Sequence, residues 1–206
     1  MEKQVDKKHY GFKKYCFPDR WASYWYQLDE ILKLKPQSVL EVGAGDRVIA
    51  NYLQDNAGIA YTSVDIAADL EPDIVSSVDD LKINDNSFDL VACFEVLEHL
   101  PFEKFIKSLQ ELHRVSKHYV IISLPHWGRH FPLSLRLPGF KRIRLQSKIN
   151  LWPIKHKFRG QHYWEIGKKN YPIKLIRKHI KQTGFEIIKD YIAFDSPYHH
   201  FFVLKK

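Results

Sequence analysis

Two glycine residues, Gly43 and Gly45, stand one residue apart at the end of a short apolar run, residues 38–42. The apolar run is typical of a buried strand, and apolar residues at helical spacing follow the glycines. A strand, a glycine turn and a helix bring the backbone close to a bound nucleotide, because glycine has no Cβ atom and helix amides face the ligand. The carboxylate of Glu41 lies in the same stretch. The spacing predicts a nucleotide-type cofactor site, and a plain strand-to-helix turn is the alternative.

A second carboxylate, Asp65, follows the next predicted strand, residues 60–64, and comes 20 residues after Gly45. A carboxylate at this place can accept hydrogen bonds from both ribose hydroxyl groups of a nucleotide. Domains that bind nicotinamide dinucleotides share this feature, but their fingerprint requires a third glycine where this sequence has Val48. The pattern therefore disfavours a nicotinamide cofactor, and an ordinary loop aspartate is the alternative.

Histidine and glutamate side chains supply the candidate proton acceptors. His126 directly follows the predicted fifth strand, and a histidine pKa near 6.5 suits a general base at neutral pH. His162 and Glu165 belong to the run Gln-His-Tyr-Trp-Glu-Ile. Its polar and aromatic side chains suit a substrate pocket over the open end of a sheet. The alternatives are an ordinary loop histidine at the first place and a plain aromatic core at the second. His99 is interpreted as structural or supporting, and no metal site is predicted.

The elements that must position these residues follow from hydrophobic periodicity, which alternates between strand and helix up to residue 124. This alternation predicts a parallel sheet with helices on both faces. Residues 195–197 form a short link between the last two predicted strands, so these strands are expected to be antiparallel neighbours. The predicted helices begin at Asp19 (as N-cap), Val48, Pro101 and Pro172, and the predicted strands are residues 38–42, 60–64, 73–77, 88–94, 119–124, 185–194 and 198–204.

Two of the predicted helices carry apolar faces that should pack on the sheet. In the first helix the stripe includes Trp21, Tyr24 and Trp25, and in the third it includes Phe105 and Ile106.

The composition is that of a folded domain in a reducing compartment. The chain has 206 residues, of which 45% are hydrophobic, enough for one domain with a substantial core. Its two cysteines, Cys16 and Cys93, are far apart, which disfavours a disulfide framework and a zinc site. The N-terminus is polar and charged, unlike a signal peptide, and no apolar run approaches the roughly 20 residues that span a bilayer. We therefore expect a cytoplasmic protein.

Charge is unevenly distributed along the chain. Residues 1–126 contain 14 Lys and Arg against 20 Asp and Glu, whereas residues 127–206 contain 18 against 4. The basic part predicts an anionic partner, and a solvated basic face is the alternative. Residues 125–170 interrupt the alternation of elements and are expected to form a basic, aromatic insertion over the acceptor region. Within it, residues 133–145 mix apolar and cationic side chains, which suits either a membrane surface or RNA phosphates.

Four segments, in order, resemble those of the class I S-adenosylmethionine-dependent methyltransferases. They are the Glu-Val-Gly-Ala-Gly turn at 41–45, Asp65, the run Asn-Asp-Asn-Ser-Phe-Asp-Leu-Val from Asn84, and Glu-Val-Leu-Glu-His-Leu-Pro at 95–101. The sequence is most similar to the small single-domain branch that carries Val-Leu-Glu-His-Leu after the fourth strand. The resemblance implies an α/β fold, a Rossmann-like three-layer sandwich with a seven-stranded, mostly parallel sheet and an antiparallel last strand.

The resemblance also implies which residues hold S-adenosylmethionine. The glycine turn would lie under its methionine part, and Glu41 would reach the amino group. Asp65 would hold the ribose hydroxyls, with Ile66 against the adenine ring. The carboxylate that contacts adenine in many members is missing, because Ser77 stands in its place. The implied cofactor-binding residues are Glu41, Gly43, Ala44, Gly45, Asp65, Ile66, Ser77, Val78, Phe94 and Glu95.

The implied activity is methyl transfer from S-adenosylmethionine, with His126, His162 and Glu165 as the catalytic candidates. The acceptor is expected to be anionic or membrane-associated: a lipid or lipid-linked glycan, RNA, or a phosphorylated small molecule, with peripheral membrane contact. The alternative is a methyltransferase-like module that binds RNA or membrane without catalysis. Residues 1–206 would form a single methyltransferase domain, in which residues 1–37 are an N-terminal helical cap.

Overall fold

A computed structural model describes residues 7–206 of the protein. The start of the expected N-terminal cap and most of the polar N-terminal stretch, residues 1–6, lie outside the described residues.

Within residues 7–206, nine strands form two sheets. Their bounds are β1 Ser38–Val42, β2 Ala60–Asp65, β3 Ile74–Val75, β4 Phe88–Phe94, β5 Ser116–Pro125, β6 Arg129–Leu135, β7 Ile143–Ile149, β8 Glu186–Ala193 and β9 Ser196–Lys205. The main sheet has seven strands in the order β3-β2-β1-β4-β5-β9-β8. Strands β1 to β5 pair in parallel, whereas β9 is antiparallel to both β5 and β8. The predicted fold class, including the antiparallel last strand, is confirmed.

In the described part of the chain, five α-helices accompany the sheets: α1 Phe12–Tyr15, α2 Pro18–Lys33, α3 Val48–Asp55, α4 Phe105–Val115 and α5 Ile173–Gln182. Single 3-10 turns occupy Lys7–Tyr10, Ala68–Leu70, Leu97–His99 and Phe102–Lys104. The prediction that Asp19 caps α2 is wrong, because Phe17 is the N-cap residue and makes no side-chain capping bond. Pro18 takes the first helical position, where its fixed φ suits the helix and its missing N–H costs nothing.

The core consists of two apolar layers, one on each face of the main sheet. Side chains of α2 and α3, such as Ile31 and Leu53, pack with Val39 and Phe201 on one face. Side chains of α4 and α5 pack on the other face with the alternate residues of the same strands. This three-layer arrangement is what the alternating periodicity predicts, because successive strand residues point to opposite faces.

The packing face of α2 differs from the prediction. Trp21 and Trp25 are 49% and 60% exposed, although Tyr24 on the same predicted stripe is buried. Helix α2 is rotated about its axis relative to the prediction because the face it buries carries polar residues, and a buried polar group must be hydrogen-bonded. Ser23 contacts Nδ1 of His199 at 2.5 Å, and Glu30 on the same face binds partners on β8.

Ile106 of α4 is also partly exposed, at 36%, and does not belong to the buried face that contains Phe105.

No helix within residues 7–206 is long and apolar enough to cross a membrane.

Candidate active site

A cavity of about 210 Å³ opens at the carboxyl ends of β1, β2 and β4. In open α/β sheets, ligands bind at this edge, where the order of the strands reverses direction. The lining comes from the loops after these strands, from the N-terminal segment and from the insertion; the lining residues are His9, Tyr10, Tyr15, Arg20, Val42, Gly43, Gly45, Asp65, Ile66, Ala67, Leu70, Ser76, Ser77, Val78, Phe94, Glu95, Val96, His99, Gln161, His162 and Tyr198.

The glycine turn forms one wall of the cavity because it has no side chains there. Gly43 has φ +85° and donates its N–H to the carbonyl oxygen of Val64 at 2.7 Å. A Cβ atom at this position would lie 2.2 Å from Cγ2 of Val96 in the loop after β4. Gly45 has φ +51°, and a Cβ atom there would approach the ring of Tyr10 at 3.3 Å. Both glycines are therefore required by backbone conformation and by close neighbours.

Asp65 lies at the mouth of the cavity, at the end of β2. Its Oδ1 accepts the N–H of Ala67 at 2.8 Å, and the amide groups of Gly45 and Ile66 also donate to the carboxylate. Partial burial raises its pKa despite these three bonds. The carboxylate is thus held rigidly beside the glycine turn, where a ribose hydroxyl can donate to its remaining lone pairs.

The loop after β3 lines the cavity on the side where the resemblance places adenine. Ser77 and Val78 both line the cavity. The hydroxyl of Ser77 donates to Oδ1 of Asp79, and Asp79 is held by Nζ of Lys104 at 2.8 Å. The carboxylate of Asp79 is therefore occupied by an ion pair with Lys104. The cavity wall at this place is mainly apolar and includes Ile66.

Phe94 and Glu95 line the cavity next to the glycine turn. Glu95 has φ +53°, a left-handed conformation that is uncommon for a residue with a side chain. Its Oε1 accepts from Oγ of Ser123 at 2.8 Å, and its Oε2 lies 3.5 Å from Nε2 of His199. Burial raises its pKa to about 7. A backbone strained at a cavity wall and a buried carboxylate together mark a functional position.

Two of the predicted cofactor residues do not line the cavity. Ala44 is buried within the turn, and Glu41 accepts a hydrogen bond from the hydroxyl of Tyr61 at 2.5 Å. Burial raises the pKa of Glu41 to about 8. The cavity lining therefore gives no direct contact for Glu41.

The predicted base His126 lies outside the cavity lining. Its Nδ1 is 2.9 Å from Nδ1 of His200, and its ring is largely buried. Burial and the neighbouring His200 lower the pKa of His126 to about 3. A histidine in this position is held neutral in the protein interior, and it has no contact with the cavity where a base would act.

His162 lines the cavity, and Glu165 supports it from behind. Nδ1 of His162 lies 3.2 Å from Oε1 of Glu165 and 3.3 Å from the hydroxyl of Tyr198. The Tyr198 hydroxyl donates to the same Glu165 oxygen at 3.1 Å. Trp164, from the same run, is fully buried in the core and donates to the carbonyl of Leu100, so it does not face an acceptor.

Sequence reasoning missed several lining residues that come from distant segments. His9, Tyr10 and Tyr15 cover the cavity from the N-terminal segment, and Arg20 reaches it from α2. The guanidinium of Arg20 lies 4.4 Å from the centre of the Tyr15 ring. Dense aromatic and basic residues before α2 were the only sequence signal for these contacts.

Comparison with known proteins agrees with the fold. Residues 40–122 match the family model of a methyltransferase domain. No curated protein matches the chain.

Similar solved structures include a SAM-dependent methyltransferase from Aquifex aeolicus, with 17% identity, 98% of each chain covered and a TM-score of 0.59. An S-adenosylmethionine-dependent methyltransferase from Clostridium acetobutylicum is 11% identical over 96% of this chain and 95% of that one, with a TM-score of 0.59. A 1,6-didemethyltoxoflavin-N1-methyltransferase from Burkholderia thailandensis, solved with S-adenosylhomocysteine, is 17% identical over 92% of this chain and 78% of that one, with a TM-score of 0.57. At these identities the likeness is one of fold. The family match covers residues 40–122, and the fold that the whole chain shares is that of S-adenosylmethionine-dependent methyltransferases.

Proposed function

We propose that the protein binds S-adenosylmethionine in this cavity and transfers its methyl group to an acceptor presented at an anionic membrane surface. The observation that carries the cofactor assignment is the rigid carboxylate of Asp65 beside the glycine turn. Gly43 and Gly45 leave room for the methionine part, and Asp65 is placed for the ribose hydroxyls. Ile66 and Val78 supply apolar walls for the adenine ring.

Methyl transfer requires little covalent chemistry from the protein. A lone pair of the acceptor forms the new bond to the methyl carbon, while the carbon–sulfur bond breaks and its electrons return to sulfur. Holding the two reactants in line is the main source of acceleration. His99, Gln161, His162 and Tyr198 line the cavity together with Glu95, and these polar side chains form the acceptor end in this proposal.

The membrane part of the proposal rests on the hairpin formed by β6 and β7, which lies in the insertion. The pairs Leu133–Leu145 and Leu135–Ile143 share one face of the hairpin with Phe131, because directly paired residues of an antiparallel ribbon point the same way. These five side chains are between 50% and 59% exposed. An exposed apolar surface of this kind indicates an interaction site.

The polar face of the hairpin is turned toward the body of the protein. Nη1 of Arg144 donates to Oδ2 of Asp195 at 2.7 Å, and Nε2 of Gln146 donates to the carbonyl of Ile192 at 2.5 Å. This orientation is the reverse of the usual one, in which the polar face of a sheet meets water and its apolar face meets the core. The apolar face is therefore available to another apolar phase.

Charge favours an anionic membrane as that phase. Residues 125–164 contain nine Lys and Arg and no Asp or Glu, and the turn of the hairpin carries Arg136, Lys141 and Arg142. Cationic residues next to an apolar surface match anionic lipid head groups above acyl chains, at about 1 kcal/mol per Lys or Arg. A second copy would bring the same positive charge to this face, and RNA has no need of an aliphatic face.

The insertion also connects this surface to the cavity. After the hairpin the chain returns to line the cavity at Gln161 and His162. In this proposal, docking of the hairpin would bring the acceptor end close to the membrane that carries the acceptor. A lipid or a lipid-linked glycan is the acceptor class that this arrangement fits.

Two experiments test the proposal separately. Calorimetry with S-adenosylmethionine and the full chain should give one binding site, and no detectable binding would contradict the cofactor assignment and favour a non-enzymatic module. Co-sedimentation with vesicles of phosphatidylcholine, with and without 30% phosphatidylserine, should show binding that requires the anionic lipid and weakens with salt. Binding to RNA alone in a gel shift, or concentration-dependent dimerisation without vesicle binding, would contradict the membrane assignment.

A further inference from the structure

Glu98 carries a buried carboxylate without a hydrogen-bond partner. Its side chain is fully buried, and neither Oε1 nor Oε2 has a partner within hydrogen-bond distance among residues 7–206. Leaving such a group unpaired is costly, because burial of an ionised carboxylate requires a compensating charge or hydrogen bond. The nearest cationic candidate is Nε2 of His162, which lies 3.9 Å from Oε1.

Two histidines stand next to this carboxylate at the acceptor end of the cavity. Glu98, His99 and His162 each offer one potential ligand atom, and the three atoms lie within 4.8 Å of one another. Glu98 and His99 are adjacent in the 3-10 turn after β4, whereas His162 arrives from the insertion. Among the residues that the structure describes, no other three histidine, cysteine or acidic side chains meet in this way.

The other ring nitrogen of each histidine contacts an acceptor oxygen. Nδ1 of His99 is 3.2 Å from the carbonyl oxygen of Gln161, and Nδ1 of His162 is 3.2 Å from Oε1 of Glu165. In the tautomer in which Nδ1–H donates to these oxygens, Nε2 is the ring nitrogen that can coordinate a metal. A backbone carbonyl and a carboxylate behind the two rings are the usual outer partners of metal-binding histidines.

We propose that Glu98, His99 and His162 bind a divalent transition-metal cation. Two imidazole nitrogens and one carboxylate suit Zn²⁺, Mn²⁺ or Fe²⁺ better than Mg²⁺ or Ca²⁺, which prefer oxygen ligands. Side-chain rotations must bring the three atoms inward, because ligand bonds to these metals are about 2.0–2.2 Å long. Three protein ligands leave coordination positions open toward the cavity. The expectation from the sequence that no metal site exists is reversed by this proposal.

The cation would deepen the proposed function by giving the acceptor end a specific ligand preference, and this consequence alone rests on that function. His99, His162 and Glu95 line the same cavity, so an open coordination position faces the place of the acceptor. An acceptor oxygen bound there would lose its proton more readily, because a bound cation stabilises the anion. The acceptor class that fits is a hydroxyl compound, with the released proton passing to water.

The test is metal binding by the full chain in the absence of S-adenosylmethionine. After treatment with a chelator, calorimetry with Mn²⁺ and with Zn²⁺ should each give one cation per chain. Glu98→Gln preserves the side-chain shape but removes the charged ligand, and His162→Gln removes a ring nitrogen; each should weaken binding at least 100-fold. Glu165→Gln, which alters the partner behind His162 and none of the three proposed ligands, should weaken binding by about 10- to 100-fold.

Controls separate this site from adventitious binding and from misfolding. His118 is exposed and lies near the start of β5, outside the cavity lining, so His118→Gln should bind both cations as the unaltered protein does. Circular dichroism and thermal unfolding should show that the ligand variants are folded. Binding of neither cation, or equal binding by Glu98→Gln and the unaltered protein, overturns the proposal and leaves Glu98 as a protonated buried carboxyl. Neither result touches the binding of S-adenosylmethionine, which is measured separately.

Discussion

Gly43 shows how a single residue shapes a wall of the cavity. It combines φ +85° with a position where a Cβ atom would overlap Val96, so the turn can lie against the loop after β4 only if this residue is glycine. Gly58 has a similar backbone, φ +63°, but a Cβ atom there would have no neighbour within 4 Å. Comparing an alanine substitution at each glycine therefore separates the free-energy cost of the backbone conformation from the cost of the close contact.

Gly43→Ala should lower the free energy of unfolding by about 2–4 kcal/mol, the sum of a left-handed alanine and an overpacked contact. Gly58→Ala should cost only about 1 kcal/mol, since it adds the conformational cost alone. Urea denaturation of both variants measures the difference. Adding Val96→Ala to Gly43→Ala should recover part of the loss, and equal losses for the two glycine variants would contradict the close contact.

Asp65 is the residue on which the cofactor assignment depends most. Asp65→Ala should weaken the binding of S-adenosylmethionine by about 1–3 kcal/mol, because ribose hydroxyls would lose a partly buried acceptor. Asp80→Ala is the matched control, since that carboxylate is exposed and absent from the cavity lining, and it should bind the cofactor normally. Calorimetry measures both affinities. Unchanged binding by Asp65→Ala would show that the cofactor lies elsewhere.

At the scale of elements, the hairpin of β6 and β7 and the helix α2 illustrate the same rule. Each element carries apolar residues that are exposed because its polar residues are tied to the body. Ser23 and Glu30 turn α2 so that Trp21 and Trp25 face outward, and Arg144 ties the hairpin to Asp195. Specific polar contacts thus decide which face of an amphipathic element is buried.

For the hairpin, the double variant Leu133→Ser and Leu145→Ser should reduce binding to anionic vesicles by tenfold or more, because it removes exposed apolar surface that would be buried in the lipid. Ile188→Ser is the matched control, since Ile188 is 47% exposed on β8 and lies outside the hairpin. Replacing Arg136, Lys141 and Arg142 with glutamine should remove about 3 kcal/mol of attraction, at about 1 kcal/mol per residue. Vesicle co-sedimentation is the measurement. Binding that is the same in both sets of variants as in the unaltered protein would contradict the proposal that the hairpin docks on the membrane.

At the scale of the whole molecule, the main sheet holds neutral histidines in its interior. His126 packs against His200 and faces Lys148, Asp190 and Arg177, and burial lowers its pKa to about 3. An unfolded chain would protonate this histidine near pH 6.5. Because the unfolded state binds the proton more readily, the stabilising contribution is complete above pH 6.5 and is lost as the pH falls toward 3.

Stability should therefore fall as the pH is lowered from 7 to 5, by up to about 1.4 kcal/mol per pH unit for this group. His126→Asn should have a smaller pH dependence than the unaltered protein, by about 1–2 kcal/mol over that interval. Urea denaturation at the two pH values measures the effect. An identical pH dependence in both proteins would show that His126 is not held neutral by burial.

The sequence by itself predicted the elements of the main sheet, and its resemblance to known methyltransferases predicted the cofactor end of the site, because both depend on local patterns. Hydrophobic period marks strands and helices, and the glycine turn and Asp65 lie at strand ends, which parallel pairing brings to one edge. The antiparallel last strand followed from the short link before it. These features need no knowledge of distant contacts.

Only the tertiary structure decided which residues meet at the proposed acceptor end and how the surface elements are oriented. His99, His162 and Tyr198 meet there from three segments, and the fold buries His126 among other side chains instead. The hairpin has the alternation of a strand in its sequence, but the side that faces the protein depends on partners such as Asp195. Contacts between residues far apart in the chain create cavities and exposed faces, and no local pattern encodes such contacts.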